Sequence, residues 1–145
     1  MAKAYVATLE GDYSDIVLGR VVAFGDTGWN FKEVEMDWAD DDTLFAGLLV
    51  KEDGTPCAVA DAAKAYGVLV DRKVLPGVKQ FSGTITSGTK VPMVLAVRGL
   101  TLNQLKLKFA DGTTAINAAA IDALEAKGNQ VTKHIVGTEF IGSVL

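Results

Sequence analysis

The sequence predicts a mainly β domain of the α+β class, with one α-helix in the C-terminal half of the chain. Short apolar segments interrupted by Gly, Asp and Thr run along most of the 145 residues, and fifteen glycines indicate many tight turns. An alanine-rich stretch at about 113–127 has a helical pattern. Because 49% of the residues are hydrophobic, a chain of this length can bury a core without disulfides or metals.

Eight segments have the composition of strands. They are residues 16–24, 29–36, 44–50, 66–70, 78–86, 91–98, 100–109 and 138–145. In the second of these, the apolar positions are 29 and 31 and then 34 and 36. A β-bulge near Lys32 and Glu33 is expected to restore a single apolar face. A similar slip predicts that Asn103 and Gln104 form a turn or a short irregular link.

Two of the apolar segments, 68–70 and 93–97, lack polar alternation, which is typical of strands buried on both faces. We therefore expect them at the centre of the fold. Turns are predicted at three Gly-containing pairs, which are Asp53-Gly54, Asp111-Gly112 and Pro76-Gly77. Residues 58–65 are compatible with either a short helix or a loop.

The helical pattern has a start signal, an apolar stripe and a stop signal. Thr113 or Thr114 is expected to cap the first turn with its hydroxyl group. The apolar stripe that would face the sheet consists of Ile116, Ala119, Ala120, Ala123 and Leu124. Lys127 favours the negative end of the helix dipole, and Gly128 can adopt the left-handed conformation that ends a helix.

Composition also excludes several classes of function. A formal charge of −4 without any basic run argues against a nucleic-acid partner, since neutralising phosphates requires clustered Lys and Arg. The longest apolar run, 93–97, is far shorter than the ~20 residues that span a bilayer, so no membrane partner is expected. The first residues lack the apolar core of a signal peptide, and the single cysteine cannot form an intramolecular disulfide. These features predict synthesis in a reducing cytoplasm.

The residues that usually carry catalysis are sparse. His134 is the single histidine, and we expect it at a solvent-facing or interface position of a strand. Cys57 has no basic neighbour to lower the pKa of its thiol, so it is expected to be a small buried hydrophobic residue. No catalytic residue is therefore assigned, and the protein is not expected to be an enzyme.

No cofactor or metal is predicted either. The acidic residues Asp37, Asp40, Asp41 and Asp42 lack the ligand spacing and the glycine of an EF-hand loop, which indicates an acidic solvated loop. Gly83 and Gly88 lack the Gly-Lys-Ser/Thr ending of a phosphate-binding loop, and a hairpin explains them better.

A series of motifs covers about half of the chain, from residue 65 to residue 135. They are Gly67-Val68-Leu69-Val70, Val94-Leu95-Ala96-Val97-Arg98-Gly99, Leu105-Lys106-Leu107, the alanine-rich helix at 118–126, and Gly128. Their order and spacing resemble the C-terminal pattern of lambda-type head decoration proteins of tailed bacteriophages. Residues 28–42, with two tryptophans and an acidic loop, have no counterpart in that pattern.

The resemblance implies a small β-barrel or β-tulip-like domain without an active site. Proteins of this type form homotrimers on the outer surface of the expanded phage capsid, bind the major capsid protein, and stabilise the shell against the pressure of packaged DNA. The resemblance thus places the protein in the virion after synthesis in the bacterial host. The high hydrophobic content also favours a homotrimer, because apolar surface left exposed on a monomer usually marks an interface.

The resemblance further implies a flexible N-terminal arm that binds the capsid. Residues 1–15 are assigned to this arm and residues 16–145 to a single domain. The proposed capsid-binding residues are Tyr5, Val6, Ala7, Thr8 and Leu9, which have strand-compatible composition and precede a polar stretch containing Gly11. An arm of this kind can add a strand to a sheet of the capsid protein. The alternative is an ordinary first strand of the domain's own sheet.

Other functions remain open at this point. Another virion component, such as a tail-tube or head-tail adaptor protein, shares small β-rich folds and self-assembly. A small-ligand-binding β-barrel is a further alternative.

Overall fold

The computed structural model describes residues 16–20, 29–39, 43–74 and 85–133. Several predictions lie outside these residues. They concern the arm at 1–15, the end of the strand at 16–24, most of the strand at 78–86, the strand at 138–145, and the turn at Pro76-Gly77.

The described residues form seven strands and one α-helix. The strands are β1 (Val17–Arg20), β2 (Phe31–Asp37), β3 (Leu49–Lys51), β4 (Ala65–Leu69), β5 (Lys90–Ala96), β6 (Leu100–Asn103) and β7 (Gln130–Thr132), and the helix is α1 (Ala118–Glu125). Short 3₁₀ helices occupy Val59–Lys64, Arg72–Val74 and Gln104–Lys106. This content confirms the mainly β, α+β class.

The strands are arranged in two sheets, ordered β1-β6-β7 and β2-β5-β4-β3. All pairings are antiparallel except that of β6 with β7. Neither sheet closes into a barrel within the described residues. The four-stranded sheet nevertheless curls, because the turn after β3 reaches the edge strand β2. There Gly54 lies directly on the carbonyl oxygen of Glu35, and a Cβ at this position would collide with that oxygen.

The four-stranded sheet separates two hydrophobic clusters. Along β4, Val68 packs into the first cluster and Leu69 into the second, and both are fully buried. The first cluster contains residues from β6 and α1, whereas the second contains Met93, Leu95 and Trp38. Because both faces of β4 and β5 are covered, their sequences need no polar alternation. The predicted central position of segments 68–70 and 93–97 is confirmed.

The bulge predicted at Lys32 and Glu33 is wrong. β2 pairs with β5 without interruption, from Phe31 opposite Ala96 to Asp37 opposite Lys90. The apolar pattern changes phase because Trp29 and Phe31 are 50% and 41% exposed, so these residues do not belong to the core face. The apolar pattern of the sequence changes phase at this point, whereas the pairing of the β2 backbone with β5 continues without a shift.

A register shift occurs instead between β3 and β4, where Val50 pairs with Gly67 and Lys51 with Ala65. The extra residue is Tyr66, which packs against the second cluster. Gly67 follows it at a close approach between β4 and β5. A Cβ at Gly67 would lie 3.0 Å from the carbonyl oxygen of Ala96 and 3.2 Å from the Cβ of Leu95.

The predicted link at Asn103 and Gln104 is confirmed. The Asn103 side chain accepts a hydrogen bond from the Leu105 amide at 3.2 Å and caps the 3₁₀ helix that follows β6. The predicted turns at Gly54 and Gly112 are also present, with φ angles of 88° and 74° that favour glycine. Residues 58–65, which were compatible with a helix or a loop, contain a 3₁₀ helix.

The helix α1 is shorter than the predicted 113–127, and the predicted cap is wrong. The cap is Asn117, whose side chain accepts from the Ala120 amide at 3.1 Å. Thr113 and Thr114 instead donate their amides to the Asp111 carboxylate in the preceding turn.

The predicted apolar stripe of α1 is correct in part. Ile116, Ala120 and Leu124 are buried and Ala123 is half-buried, whereas Ala119 is exposed. The buried residues follow each other at intervals of four, so the face that contacts the sheet is narrower than predicted. Gly128 has a φ of 84° after the helix, as expected.

Candidate docking surface

The proposed capsid-binding residues Tyr5 to Leu9 lie outside the described residues, as do His134 and residues 40–42. Among the acidic residues, Asp37 is exposed and forms an ion pair with Lys90 at 3.1 Å. In the described ranges, no three His, Cys, Asp or Glu side chains come together as metal ligands would.

Cys57 is fully buried in the first cluster, which confirms the prediction of a small hydrophobic residue. Its Sγ donates to the carbonyl oxygen of Asp61 at 3.3 Å. Burial, together with the nearby Asp61 charge, raises the pKa of the Cys57 thiol. A neutral buried thiol is a poor nucleophile, so Cys57 has the properties of a core residue.

The large apolar side chains exposed in the described parts of the chain are Trp29, Phe31, Val59 and Leu105. Two of them are close in sequence, since Phe31 is the first residue of β2 and Trp29 precedes it by two residues. Phe31 borders an apolar groove of about 450 Å³ that is also lined by Val70, Asp71, Arg72 and Val94. Exposed aromatic residues at neighbouring positions are typical of binding surfaces.

Trp29 also belongs to a group of cationic and aromatic residues that we call the aromatic–basic patch. Its members are Trp29, Lys32, Tyr66, Arg98 and Lys127. The Arg98 guanidinium lies 5.5 Å from the Trp29 ring centre, while the Lys32 and Lys127 ammonium groups lie 5.4 Å and 5.2 Å from the Tyr66 ring centre. Each contact is within the range of a cation–π interaction.

The fold fixes each part of this patch. The register shift in β4 places Tyr66 beside β2, where Lys32 Nζ donates to its hydroxyl oxygen at 3.3 Å. Asn30 holds the end of β5, since its side-chain amide donates to the Arg98 carbonyl oxygen at 3.0 Å. Lys127 follows Ala126, the C-terminal cap of α1, and precedes Gly128. Four separate segments of the chain therefore meet at this surface.

Tyr66 and Lys127 both line two neighbouring hollows. One, of about 390 Å³, is lined by Trp29, Val97, Arg98 and Ala126, and the other, of about 440 Å³, by residues 51–53 and 63–65. Of the carboxylates that the structure describes, none lies within salt-bridge distance of Lys32 or Lys127. The patch therefore offers positive charge beside aromatic surface. These groups are suited to binding a partner.

The family model described as bacteriophage PhiTE minor capsid decoration protein matches the chain over residues 1–145. The chain belongs to this family. The head decoration identity inferred from the motifs between residues 65 and 135 is thereby confirmed, and the match extends to the N-terminal half that those motifs left unassigned. No curated protein and no solved structure matches the chain.

The decoration protein is thus a structural protein of the phage capsid. In the described ranges, no helix is long and apolar enough to cross a membrane. Sequence reasoning missed the aromatic–basic patch of this protein. The sequence feature that could have indicated the patch is the change of phase in the apolar pattern after Trp29 and Phe31. We attribute that change to a bulge in the sequence analysis, whereas it reflects exposed aromatic residues.

Proposed function

We propose that this decoration protein binds the outside of the expanded capsid as a homotrimer, contacts the major capsid protein, and stabilises the shell against the pressure of packaged DNA. The family match over the whole chain is the observation that carries this proposal. Two fully buried hydrophobic clusters in a small domain support it, because a protein that reinforces a shell must itself resist unfolding. The role is structural and requires no catalytic step.

The proposal includes the N-terminal arm at residues 1–15. Its segment Tyr5 to Leu9 alternates larger side chains at Tyr5 and Leu9 with the small Ala7 between them. Main-chain hydrogen bonds to an edge strand of the capsid protein would supply much of the attachment, and alternate side chains would fill pockets. Synthesis in the host cytoplasm, before assembly on the head, belongs to the same proposal.

The direct test uses expanded capsids that lack the decoration protein. We expect purified protein to bind these shells saturably and to raise the temperature at which DNA-filled heads release their DNA. Absence of binding, or binding without any change in DNA release, would contradict the proposed function. Rings or tubes of the purified protein in electron micrographs would instead favour a tail component.

The arm is tested by deleting residues 2–12. The truncated protein should keep its melting temperature and its oligomeric state but lose most of its affinity for expanded capsids. A finer pair of variants is Ala7→Pro and Ala7→Ser, since proline removes a backbone donor and serine retains it. Binding at full strength by both the deletion and Ala7→Pro would refute the arm, as would unfolding of the truncated protein.

A further inference from the structure

The aromatic–basic patch has a charge opposite to that of the whole protein. The chain carries a formal charge of −4, yet Lys32, Arg98 and Lys127 converge on two aromatic rings. Lys32 and Lys127 both lie close to one ring, that of Tyr66, with no described carboxylate within salt-bridge distance of either. Two like charges close to one ring repel each other, and an anion bound beside them would relieve that repulsion.

The nearest acidic groups are poorly placed to supply that anion. Asp53 lines the larger hollow, but its carboxylate accepts hydrogen bonds from the amide and hydroxyl of Thr55 at 3.0 Å and 2.6 Å. Those bonds lower the pKa of Asp53, and they hold its carboxylate on residues of its own turn. Asp61 is likewise paired with Lys51 at 3.4 Å. Asp53 and Asp61 are therefore engaged elsewhere, and no carboxylate among the described residues lies within salt-bridge distance of Lys32 or Lys127.

We infer that the aromatic–basic patch docks an acidic segment of the capsid protein, with carboxylates bound to Lys32 and Lys127 and apolar side chains against Trp29 and Tyr66. Tryptophan, tyrosine and arginine are the residues that most often anchor protein interfaces. Trp29 is half-exposed at 50%, so it has a large apolar area available for burial. This inference names a contact of the proposed capsid binding and rests on that function.

The patch is a poorer fit to nucleic acid. Strong phosphate binding requires many cations along a track, whereas the patch presents three. The hollow beside Tyr66 also contains Glu52 and Asp53, which would repel a continuous phosphate backbone. A short segment with separated carboxylates avoids this repulsion.

The test reverses the two charges at Tyr66. We expect the double variant Lys32→Glu/Lys127→Glu to bind expanded capsids about tenfold more weakly than the wild type and to lose the salt dependence of binding. Tyr66→Phe should retain affinity within about twofold, because it keeps the ring. The control is Lys106→Glu, which reverses the charge of one exposed lysine outside the patch and gives the effect expected per reversed charge. Melting temperatures of all variants verify that each is folded.

A double variant that binds as the Lys106→Glu control does, with unchanged salt dependence, would overturn the inference while leaving the proposed function intact. If the wild type does not bind capsids at all, the proposed function fails, and the patch is then tested separately by titration with a short peptide in which Glu alternates with Leu. If the patch binds the peptide, the titration should cause a saturable shift of the Trp29 indole NMR signal in the wild type. The double variant should show no such shift. No saturable shift would refute the patch, as would tighter binding of single-stranded oligothymidylate at the same residues.

Discussion

Asn129 joins three segments of the protein through one buried side chain. Its Nδ2 donates to the carbonyl oxygens of Val97 at 2.6 Å and Leu124 at 2.9 Å, and its Oδ1 accepts from the Leu100 amide at 3.1 Å. The end of α1 is thereby tied to the connection between β5 and β6. This role could not be predicted from the sequence, because asparagine after Gly128 is also typical of an exposed turn.

We expect Asn129→Ala to lower the free energy of unfolding by about 1–3 kcal/mol, since buried polar groups lose their partners. Asn129→Asp should be more damaging at pH 7, because a carboxylate cannot donate to the two carbonyl oxygens. The pKa of that carboxyl would be raised, so part of the loss should disappear on acidification. Urea denaturation at two pH values measures both effects.

The matched control for Asn129→Asp is Asn117→Asp. Asn117 caps α1 at an exposed position, and aspartate is an equally good cap. Its effect should stay within about 0.5 kcal/mol. Equal losses of unfolding free energy for the two substitutions would show that the amide hydrogens of Asn129 do not contribute to stability.

Asp111 is the second residue for which we make a prediction, and the prediction concerns its pKa. The hydroxyl of Thr114 and the amides of Thr113 and Thr114 donate to its carboxylate and lower the pKa to about 2. Because the folded pKa lies below the unfolded value, the stabilising contribution of this turn is complete above about pH 4 and is lost as pH falls through about 2.

NMR titration of the Asp111 carboxyl carbon checks this value. Thr114→Val should move the pKa of Asp111 back toward its ordinary range, since the side-chain donor is the largest cause of the shift. Thr113→Val keeps the backbone donor and should change the pKa less. An Asp111 that titrates near 4 in the unmodified protein would contradict the hydrogen bonds described for this turn.

At the scale of the elements, α1 contributes to the core mainly through Leu124. This side chain is fully buried in the first cluster, whereas its neighbour Glu125 is exposed. Leu124→Ala should lower the free energy of unfolding by about 2–5 kcal/mol through the lost burial and the cavity left behind. Glu125→Ala should stay within about 0.5 kcal/mol. Equal effects in chemical denaturation would mean that the buried face of α1 is assigned wrongly.

Elements with an internal signal were predictable from the sequence. The uninterrupted apolar runs of β4 and β5, the Asp-Gly turns and the stop at Gly128 each depend on a few adjacent residues. The start of α1 was not predictable in the same way, because Asp111 competes for the amides of the two threonines that could have capped the helix. The uninterrupted pairing of β2 was missed for a different reason. Trp29 and Phe31, the aromatic residues before and at its start, are exposed and do not belong to the core face.

At the scale of the whole molecule, we expect a homotrimer of the 15.3 kDa chain. Exposed Phe31 and Leu105 supply apolar surface that association would cover, and cyclic symmetry suits a three-fold capsid site. Sedimentation or light scattering at tens of micromolar should give about three times the monomer mass. A monomer under these conditions would contradict a preformed trimer and would limit trimer formation to the capsid.

The candidate binding regions differ in how far the sequence reveals them. The arm is one continuous segment, so its strand-like composition could be recognised, and its role remains a prediction. The aromatic–basic patch combines residues from the start of β2, from β4, from the end of β5 and from the end of α1. No local pattern contains them together, and the register of β4 brings Tyr66 within cation–π distance of both lysines.

The pairing of β1 with β6 constrains when the protein can become functional during synthesis. Arg20 pairs with Leu100, roughly 80 residues later, and β7 must then add to the far side of β6. At ribosomal rates of about 5–20 residues per second, β1 waits about 4–16 seconds for its partner. The three-stranded sheet is therefore completed only after Thr132, the last residue of β7, has been translated. Truncated products of interrupted translation that end before β7 would lack this complete sheet.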